Sequence, residues 1–96
     1  MASYYLSVRA EQDLEDILDY TWDTHGEAAA TKYLSGLKRH LDMLARNPLL
    51  APERLEFTPP VRIYPSHGHY LIYAEREGGI IVIRILHQRM NVGDHL

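Results

Sequence analysis

The chain has 96 residues, of which 46% are hydrophobic and 24% are charged, and its formal net charge is -3. This length predicts a single domain over residues 1–96, and the composition is typical of a globular protein. The acidic balance argues against a broad basic surface for nucleic-acid phosphates, and the absence of cysteine excludes disulfides and cysteine-ligated metals. Because there is neither a secretion-type leader nor a membrane-length apolar run, we expect a cytoplasmic protein without membrane contacts.

The first half of the chain predicts one strand followed by two helices. The apolar run from Tyr4 to Val8 is typical of a strand, and Ser7 can cap the helix that follows. Apolar residues at helical spacing predict a first helix over about Arg9 to His25. A second helix should begin almost at once and run to about Asn47, where Pro48 ends it. The short connection predicts an antiparallel helical hairpin.

The second half predicts three strands. Residues Leu49 to Pro60 contain three prolines and should form an irregular connection. Strands are then expected over Val61 to Tyr64, about His69 to Glu75, and Ile80 to His87. The hairpin signals between them predict an antiparallel sheet that the N-terminal strand joins. The expected fold is therefore α+β, with the helices covering one face of one sheet.

Two groups of side chains are candidates for binding a metal ion. His67 and His69 are two residues apart, as two ligands on one strand face would be, but no third ligand is evident and they should straddle a turn. Carboxylates one turn apart on the first helix could hold a hard cation, although a solvated helix face is the simpler explanation. These carboxylates are Asp13, Glu15, Asp16, Asp19 and Asp23. We therefore predict no metal and no other cofactor.

The last strand contains an arginine among apolar residues. Strand alternation places Ile81, Ile83 and Ile85 on one face and Arg84 on the other. An arginine in such a strand needs a partner or solvent, because burying it unpaired costs several kcal/mol. Two interpretations are open. Arg84 pairs with an acid across the sheet, or it joins Arg62 or His87 in a basic patch that serves recognition or catalysis.

The same segment could alternatively form a ribonuclease centre. Metal-free RNA cleavage needs a base, an acid and cations for the phosphorane charge. His87 could titrate near neutral pH, and Arg84 and Arg89 could supply positive charge. The sequence places no second acid–base group beside His87, so the set is incomplete.

The chain resembles ParE-type toxins of the RelE/ParE superfamily along essentially its whole length. The opening Tyr5-Leu6-Ser7, the block Asp13 to Ile17 and the break His25-Gly26 have this pattern. The later matches are Ala30, Tyr33-Leu34, Pro48, Val61-Arg62 and, most specifically, the closing segment Ile83 to Asn91.

This resemblance implies a toxin of a bacterial type II toxin–antitoxin system, held inactive in a hetero-oligomer with a cognate antitoxin that is ParD-like or related. It implies DNA gyrase or a related type II topoisomerase as the target, and an inhibitor rather than an enzyme. RelE-type relatives instead cut messenger RNA on the ribosome, so an endoribonuclease is the alternative. An inactive relative that only binds its antitoxin is a third reading. The net charge and the lack of a tyrosine after Tyr73 favour ParE.

The resemblance and the residue types together predict two protein-binding surfaces, since tyrosine, tryptophan and arginine dominate interface hot spots. The residues expected to contact the target are Arg62, Arg84, His87, Arg89 and Met90. Those expected to contact the antitoxin are Leu18, Trp22, Tyr33, Leu37 and Tyr73. No catalytic residue is expected for an inhibitor; in a nuclease the catalytic group would be His87, Arg84 and Arg89.

Overall fold

The computed structural model describes residues 2–96. The elements in chain order are β1 (Ser3–Leu6), α1 (Val8–His25), α2 (Glu27–Arg46), β2 (Glu53–Arg54), β3 (Val61–Ser66), β4 (His69–Arg76), β5 (Gly79–His87) and a short 3₁₀ turn (Val92–His95). The α+β class is confirmed, with two helices on one face of a five-stranded sheet. Within the described part of the chain, no helix has the length and apolarity that crossing a bilayer requires.

The helical hairpin begins at a side-chain cap and turns at a glycine. The Oγ of Ser7 accepts a hydrogen bond from the Ala10 amide at 3.0 Å, which fixes the start of α1 at Val8 and ends β1 at Leu6. Gly26 alone separates the helices and has φ of +90°, a conformation that favours glycine. This one-residue connection makes the two helices pack side by side, as predicted.

The sheet is mixed, so the expectation of an antiparallel sheet is wrong for one strand. The strand order is β1-β5-β4-β3-β2, and β1 runs parallel to β5 from the Ser3–Gly79 pair to the Leu6–Val82 pair. A parallel pair needs a long crossover, which the helices and the β3–β4 hairpin supply here.

The proline-rich connection is also more regular than expected. It contains β2, whose two residues pair antiparallel with Val61 and Arg62 of β3. Strand β3 continues beyond the predicted Tyr64 to Ser66 and includes Pro65. A proline is tolerated there because β2 is too short to cover it, so this part of β3 is a sheet edge where no partner strand needs its missing N–H.

A bulge in β5 divides its side chains between two hydrophobic clusters. Residues Val82 and Arg84 oppose the neighbouring residues Tyr73 and Ile72, so Ile83 is an extra residue in the ladder. As a result, Ile83 packs on the face away from the helices while Ile85 packs against them. The prediction that these two isoleucines share a face is therefore wrong, because a bulge interrupts simple alternation.

Candidate functional site

Ser7, the N-cap of α1, and Asp13 within α1 complete the edge of β5 where β1 ends. The Ser7 amide donates to the Val82 carbonyl at 2.9 Å, and the Ser7 hydroxyl donates to the Ile83 carbonyl at 2.7 Å. Further along α1, the Asp13 carboxylate accepts a hydrogen bond from the Ile85 amide at 3.0 Å. These contacts satisfy backbone groups that the bulge and the end of β1 would otherwise leave unpaired.

Arg84 is engaged in an ion pair inside this arrangement. Its Nε and Nη2 donate to the two oxygens of Asp13 at 2.8 and 2.9 Å, and its Nη1 donates to the His95 carbonyl at 3.0 Å. Only 11% of the Arg84 side chain and 14% of the Asp13 side chain are exposed. Burial by itself raises the pKa of Asp13, but the hydrogen bonds from Arg84 and Ile85 outweigh it and hold that pKa below its ordinary value. Of the two interpretations left open, the geometry matches the ion pair, with its acid on α1 rather than across the sheet.

Arg62 is engaged separately, at the connection that follows α2. Its Nη2 donates to Glu75 at 2.9 Å and its Nη1 donates to the Ala51 carbonyl at 2.6 Å. It lies opposite Tyr73, whose hydroxyl donates to the Pro48 carbonyl at 3.0 Å and accepts from the Ala51 amide. Arg84 instead lies opposite Ile72, so the two arginines do not form one basic patch.

The other three predicted target residues lie together at the end of β5 and just beyond it, and all three are exposed. The Arg89 amide donates to Nδ1 of His87 at 3.0 Å, and the Met90 amide donates to the His87 carbonyl at 2.9 Å. The Gln88 amide also donates to the Gly68 carbonyl, which attaches this segment to the β3–β4 turn. Met90 exposes 46% of its surface. We call residues 87–90 the C-terminal turn; it is an ordered, solvent-facing group of polar, cationic and apolar side chains.

Sequence reasoning missed the neighbour of His87, which is His69. The two residues pair in the β4–β5 ladder, and their rings lie 5.5 Å apart in an edge-to-face arrangement. Nδ1 of His69 also lies 3.3 Å from the Tyr33 hydroxyl. Burial lowers the pKa of His69, and the nearby His87 lowers it further. The signal was present, because the predicted strands began at His69 and ended at His87 on either side of one hairpin.

The histidines and acids considered for metal binding do not form a ligand cluster in residues 2–96, where no group of three or more suitable side chains fits a cation. His67 lies in the β3–β4 turn with φ of +48°, and His69 is the first residue of β4. The two histidines therefore straddle the turn. Asp13 serves as the partner of Arg84.

The residues predicted to contact an antitoxin lie at very different depths. Trp22 is 53% exposed, and Leu18 and Tyr33 are half-buried. Leu37 and Tyr73 have no exposed surface, so both belong to the core between the helices and the sheet. A second aromatic residue on α1, Tyr20, is exposed and was not anticipated. The burial of Leu37 follows from helical spacing, because it lies in line with Leu41 and Leu44 on the buried side of α2.

Two clefts lie on the sheet face away from the helices, on either side of Phe57, and each encloses about 460 Å³. The first has Val61 and Ile83 in its lining and Arg9 among its polar residues. The second is bordered by Tyr70 and by Met90 of the C-terminal turn. The C-terminal turn therefore forms one wall of an open, partly apolar surface.

The comparisons with known proteins agree with this architecture. The sequence profile of the family described as "ParE toxin of type II toxin-antitoxin system, parDE" matches residues 4–92. Toxin ParE1 of Mycobacterium tuberculosis is 39% identical over 94 residues, which covers 97% of this chain and 96% of that protein. Toxin ParE of Escherichia coli is 31% identical over 93 residues, or 96% and 90% of the two chains.

Structural comparison gives the same fold. A solved structure described as a chromosomal ParDE TA system from P. aeruginosa superposes with a TM-score of 0.74. The superposition covers 91% of this chain and 96% of that chain, at 20% sequence identity. The profile match extends from β1 through β5 to the first residue of the 3₁₀ turn and so includes the C-terminal turn. The chain therefore belongs to the ParE toxin family of type II toxin–antitoxin systems, as its residue pattern predicted.

Proposed function

We propose that this ParE-family toxin acts in the cytoplasm by binding DNA gyrase or a related type II topoisomerase, and that a cognate antitoxin, ParD-like or related, holds it inactive in a hetero-oligomer. The observation that carries the proposal is the C-terminal turn. His87, Arg89 and Met90 are exposed residues of one short ordered segment. Methionine and arginine are enriched at protein interfaces, and an ordered segment loses little conformational entropy on binding.

The two buried arginines have positioning roles in this proposal. Arg84 joins Asp13 of α1 to the His95 carbonyl, so it holds the segment that follows the C-terminal turn against the sheet. Arg62 similarly holds the connection after α2 through Ala51. Neither guanidinium is free for a partner, and their loss should change the shape of the surface rather than remove a contact.

Inhibition in this reading requires no bond to be made or broken by the toxin. Binding energy concentrated in a few residues of the C-terminal turn is enough to hold a partner enzyme in one state. Direct binding of nucleic acid is not part of the proposal, because the net charge of -3 disfavours it.

The antitoxin would cover the exposed side of the helical hairpin. Trp22 is the most favourable anchor, since it is 53% exposed and tryptophan is a frequent hot-spot residue. Leu18 lies one helical turn before it, and Tyr33 lies on α2. The outer edge of β1 also has no neighbouring strand in the described sheet, so an extended antitoxin segment could pair with it.

A supercoiling assay with purified gyrase tests the target. The double variant Arg89→Ala/Met90→Ala should need at least about tenfold more protein for half-inhibition, as expected for the loss of hot-spot side chains. The matched control is Arg46→Ala, which removes an exposed arginine from the last turn of α2. Wild-type protein that arrests growth yet leaves gyrase and topoisomerase IV fully active would contradict the proposal.

A second candidate, ribosome-dependent cleavage of messenger RNA, is favoured by one observation. The contact of His69 with His87 supplies the second imidazole that the sequence did not provide, with Arg89 two residues away. Two imidazoles can act as base and acid in phosphodiester cleavage. Transcripts on programmed ribosomes should stay intact under our proposal. Cleavage that His87→Gln and His69→Gln each abolish would establish the nuclease instead, and expression without any effect on growth would indicate an inactive relative.

A further inference from the structure

A row of aromatic rings crosses from α2 over the β3–β4 turn to the end of β5. The His40 ring lies 5.4 Å from the Tyr64 ring and 4.9 Å from the His67 ring, and the two imidazoles are stacked at 18°. Tyr33 then lies between the two histidines of the turn, with its ring 6.3 Å from that of His67 and 5.5 Å from that of His69. The rings thus connect helix α2 to the turn between strands β3 and β4.

The stacked pair lies directly on the backbone of α2 because Gly36 has no side chain. A Cβ at Gly36 would lie 2.5 Å from Nε2 of His67, so only glycine leaves room for this ring. On the other side, Nδ1 of His40 and the hydroxyl of the buried Ser66 form a hydrogen bond of 2.6 Å. The stacking contact and this hydrogen bond therefore attach the turn to α2, beside the edge-to-face contact of Tyr33 with His67.

The groups around His40 and His67 disfavour a doubly protonated pair. Burial lowers the pKa of His40, and His67 and Arg39 lower it further as neighbouring cations. The phenols facing the pair are Tyr64 of β3 and Tyr33 of α2, and burial raises the pKa of Tyr33 to about 12, so it stays neutral. No carboxylate from residues 2–96 is among the charges that shift His40.

The neighbouring pair is in a different electrostatic environment. His69 of β4 and His87 of β5 line a cleft with Asp13 and Asp16 of α1, and with Arg84 and His95. No carboxylate of the described residues is among the charges that shift the pKa of His40, so no anion there compensates a second positive charge on the stacked pair.

We propose that His40 and His67 form a pH-sensitive latch, which fastens the β3–β4 turn to α2 while at least one ring is neutral and releases it when both rings are protonated. Two like charges in stacked rings repel, and the imidazolium form is the one that water stabilises best. His67 also has φ of +48°, so the turn has a strained residue that can relax when the stack separates. The latch does not depend on the identity of the toxin's target.

Amide hydrogen exchange of the β3–β4 residues next to the turn tests the latch. Exchange rates are measured at about pH 7.5 and about pH 5.5. Dividing the intrinsic exchange rate at each pH by the observed rate gives the protection factor of each amide. Wild-type protection should fall at least about threefold on acidification. His67→Asn keeps a residue that tolerates the left-handed conformation but removes one imidazole. Its protection should be the same at both pH values.

Direct titration of the imidazoles by NMR supplies a second readout that does not depend on the absolute stability of the variant. Removing His67 should move the midpoint of His40 upward, because a competing cation is lost. The control is His25→Gln, an exposed histidine at the end of α1, which should behave like wild type in both measurements. An equal acid-induced loss of protection in His67→Asn, no loss in wild type, or an unchanged His40 midpoint would overturn the proposal.

Discussion

The carboxylate of Asp13 receives two hydrogen bonds from the guanidinium of Arg84 and a third from the backbone amide of Ile85. The bulge in β5 makes this possible, because it places Arg84 at the point where β1 no longer covers the strand. One side chain of α1 thereby fixes the helix to the central part of the sheet.

Replacing Asp13 by alanine should destabilise the fold by about 3 kcal/mol, since it leaves both a largely buried guanidinium and a backbone amide without their acceptor. Urea unfolding measures the change. Asp19→Ala, which removes an exposed carboxylate from the same helix, should alter stability by less than about 0.5 kcal/mol. A double-mutant cycle with Arg84→Ala should show strong coupling between the two residues; additive losses would contradict the importance of the pair.

The same carboxylate should make stability depend on acid pH. The pKa of Asp13 is lower in the folded state than its ordinary value of 3.8, so the unfolded chain binds the proton more readily. The stabilisation is therefore fully present above pH 3.8 and is lost as the pH falls through the folded-state value. The free energy of unfolding of Asp13→Asn should decline less steeply than that of wild type over this range. Parallel curves for the two proteins would show that Asp13 is not responsible.

The hydroxyl of Tyr73 should matter as much as its ring. It joins the connection after α2 to the sheet through Pro48 and Ala51. Tyr73→Phe leaves the ring in place but leaves the buried Ala51 amide without an acceptor, which should cost about 1–2 kcal/mol. Tyr20→Phe, at an exposed position, is the matched control and should be neutral when thermal unfolding is compared.

Alanine substitutions of Trp22 and Leu37 should have different effects, the first on antitoxin affinity and the second on folding stability. Trp22→Ala should lower the affinity for a co-expressed antitoxin at least about tenfold with little effect on stability, because its side chain is half in solvent. Leu37→Ala should instead cost about 2–5 kcal/mol of folding free energy, since Leu37 is fully buried. Titration of antitoxin against both proteins, with unfolding curves measured in parallel, distinguishes the two effects. Unchanged antitoxin affinity of Trp22→Ala would show that the antitoxin binds a surface that does not include Trp22.

The main elements of the fold could be predicted from the sequence because their signals are local. Helical spacing, the cap at Ser7, the break at Gly26 and the hairpin glycines each act within a few residues of the structure they determine. The parallel pairing of β1, the short strand β2 and the bulge at Ile83 could not be predicted in this way. They depend on contacts between residues far apart in the sequence.

In the candidate site, too, some features could be predicted from the sequence and others depend on contacts between distant residues. The need of Arg84 for a partner was evident from the sequence, but the choice of Asp13 among six acids on α1 required the geometry of the bulge. Likewise the burial of Leu37 follows from its helical spacing with Leu41 and Leu44, whereas only the packing of α1 on the sheet shows how far Trp22 is exposed. The contact between His69 and His87, by contrast, could have been predicted from the sequence, because the register of the β4–β5 hairpin places the two residues opposite each other.

The position of β1 next to β5 also affects how the protein can be made. The N-terminal strand has no other strand partner in the described sheet, and its partner β5 is the last strand of that sheet in chain order. The nascent chain can form the helical hairpin early, yet the sheet stays incomplete until β5 has been synthesised. Interrupted synthesis or loss of β5 should therefore yield fragments that lack a complete sheet and are not toxic.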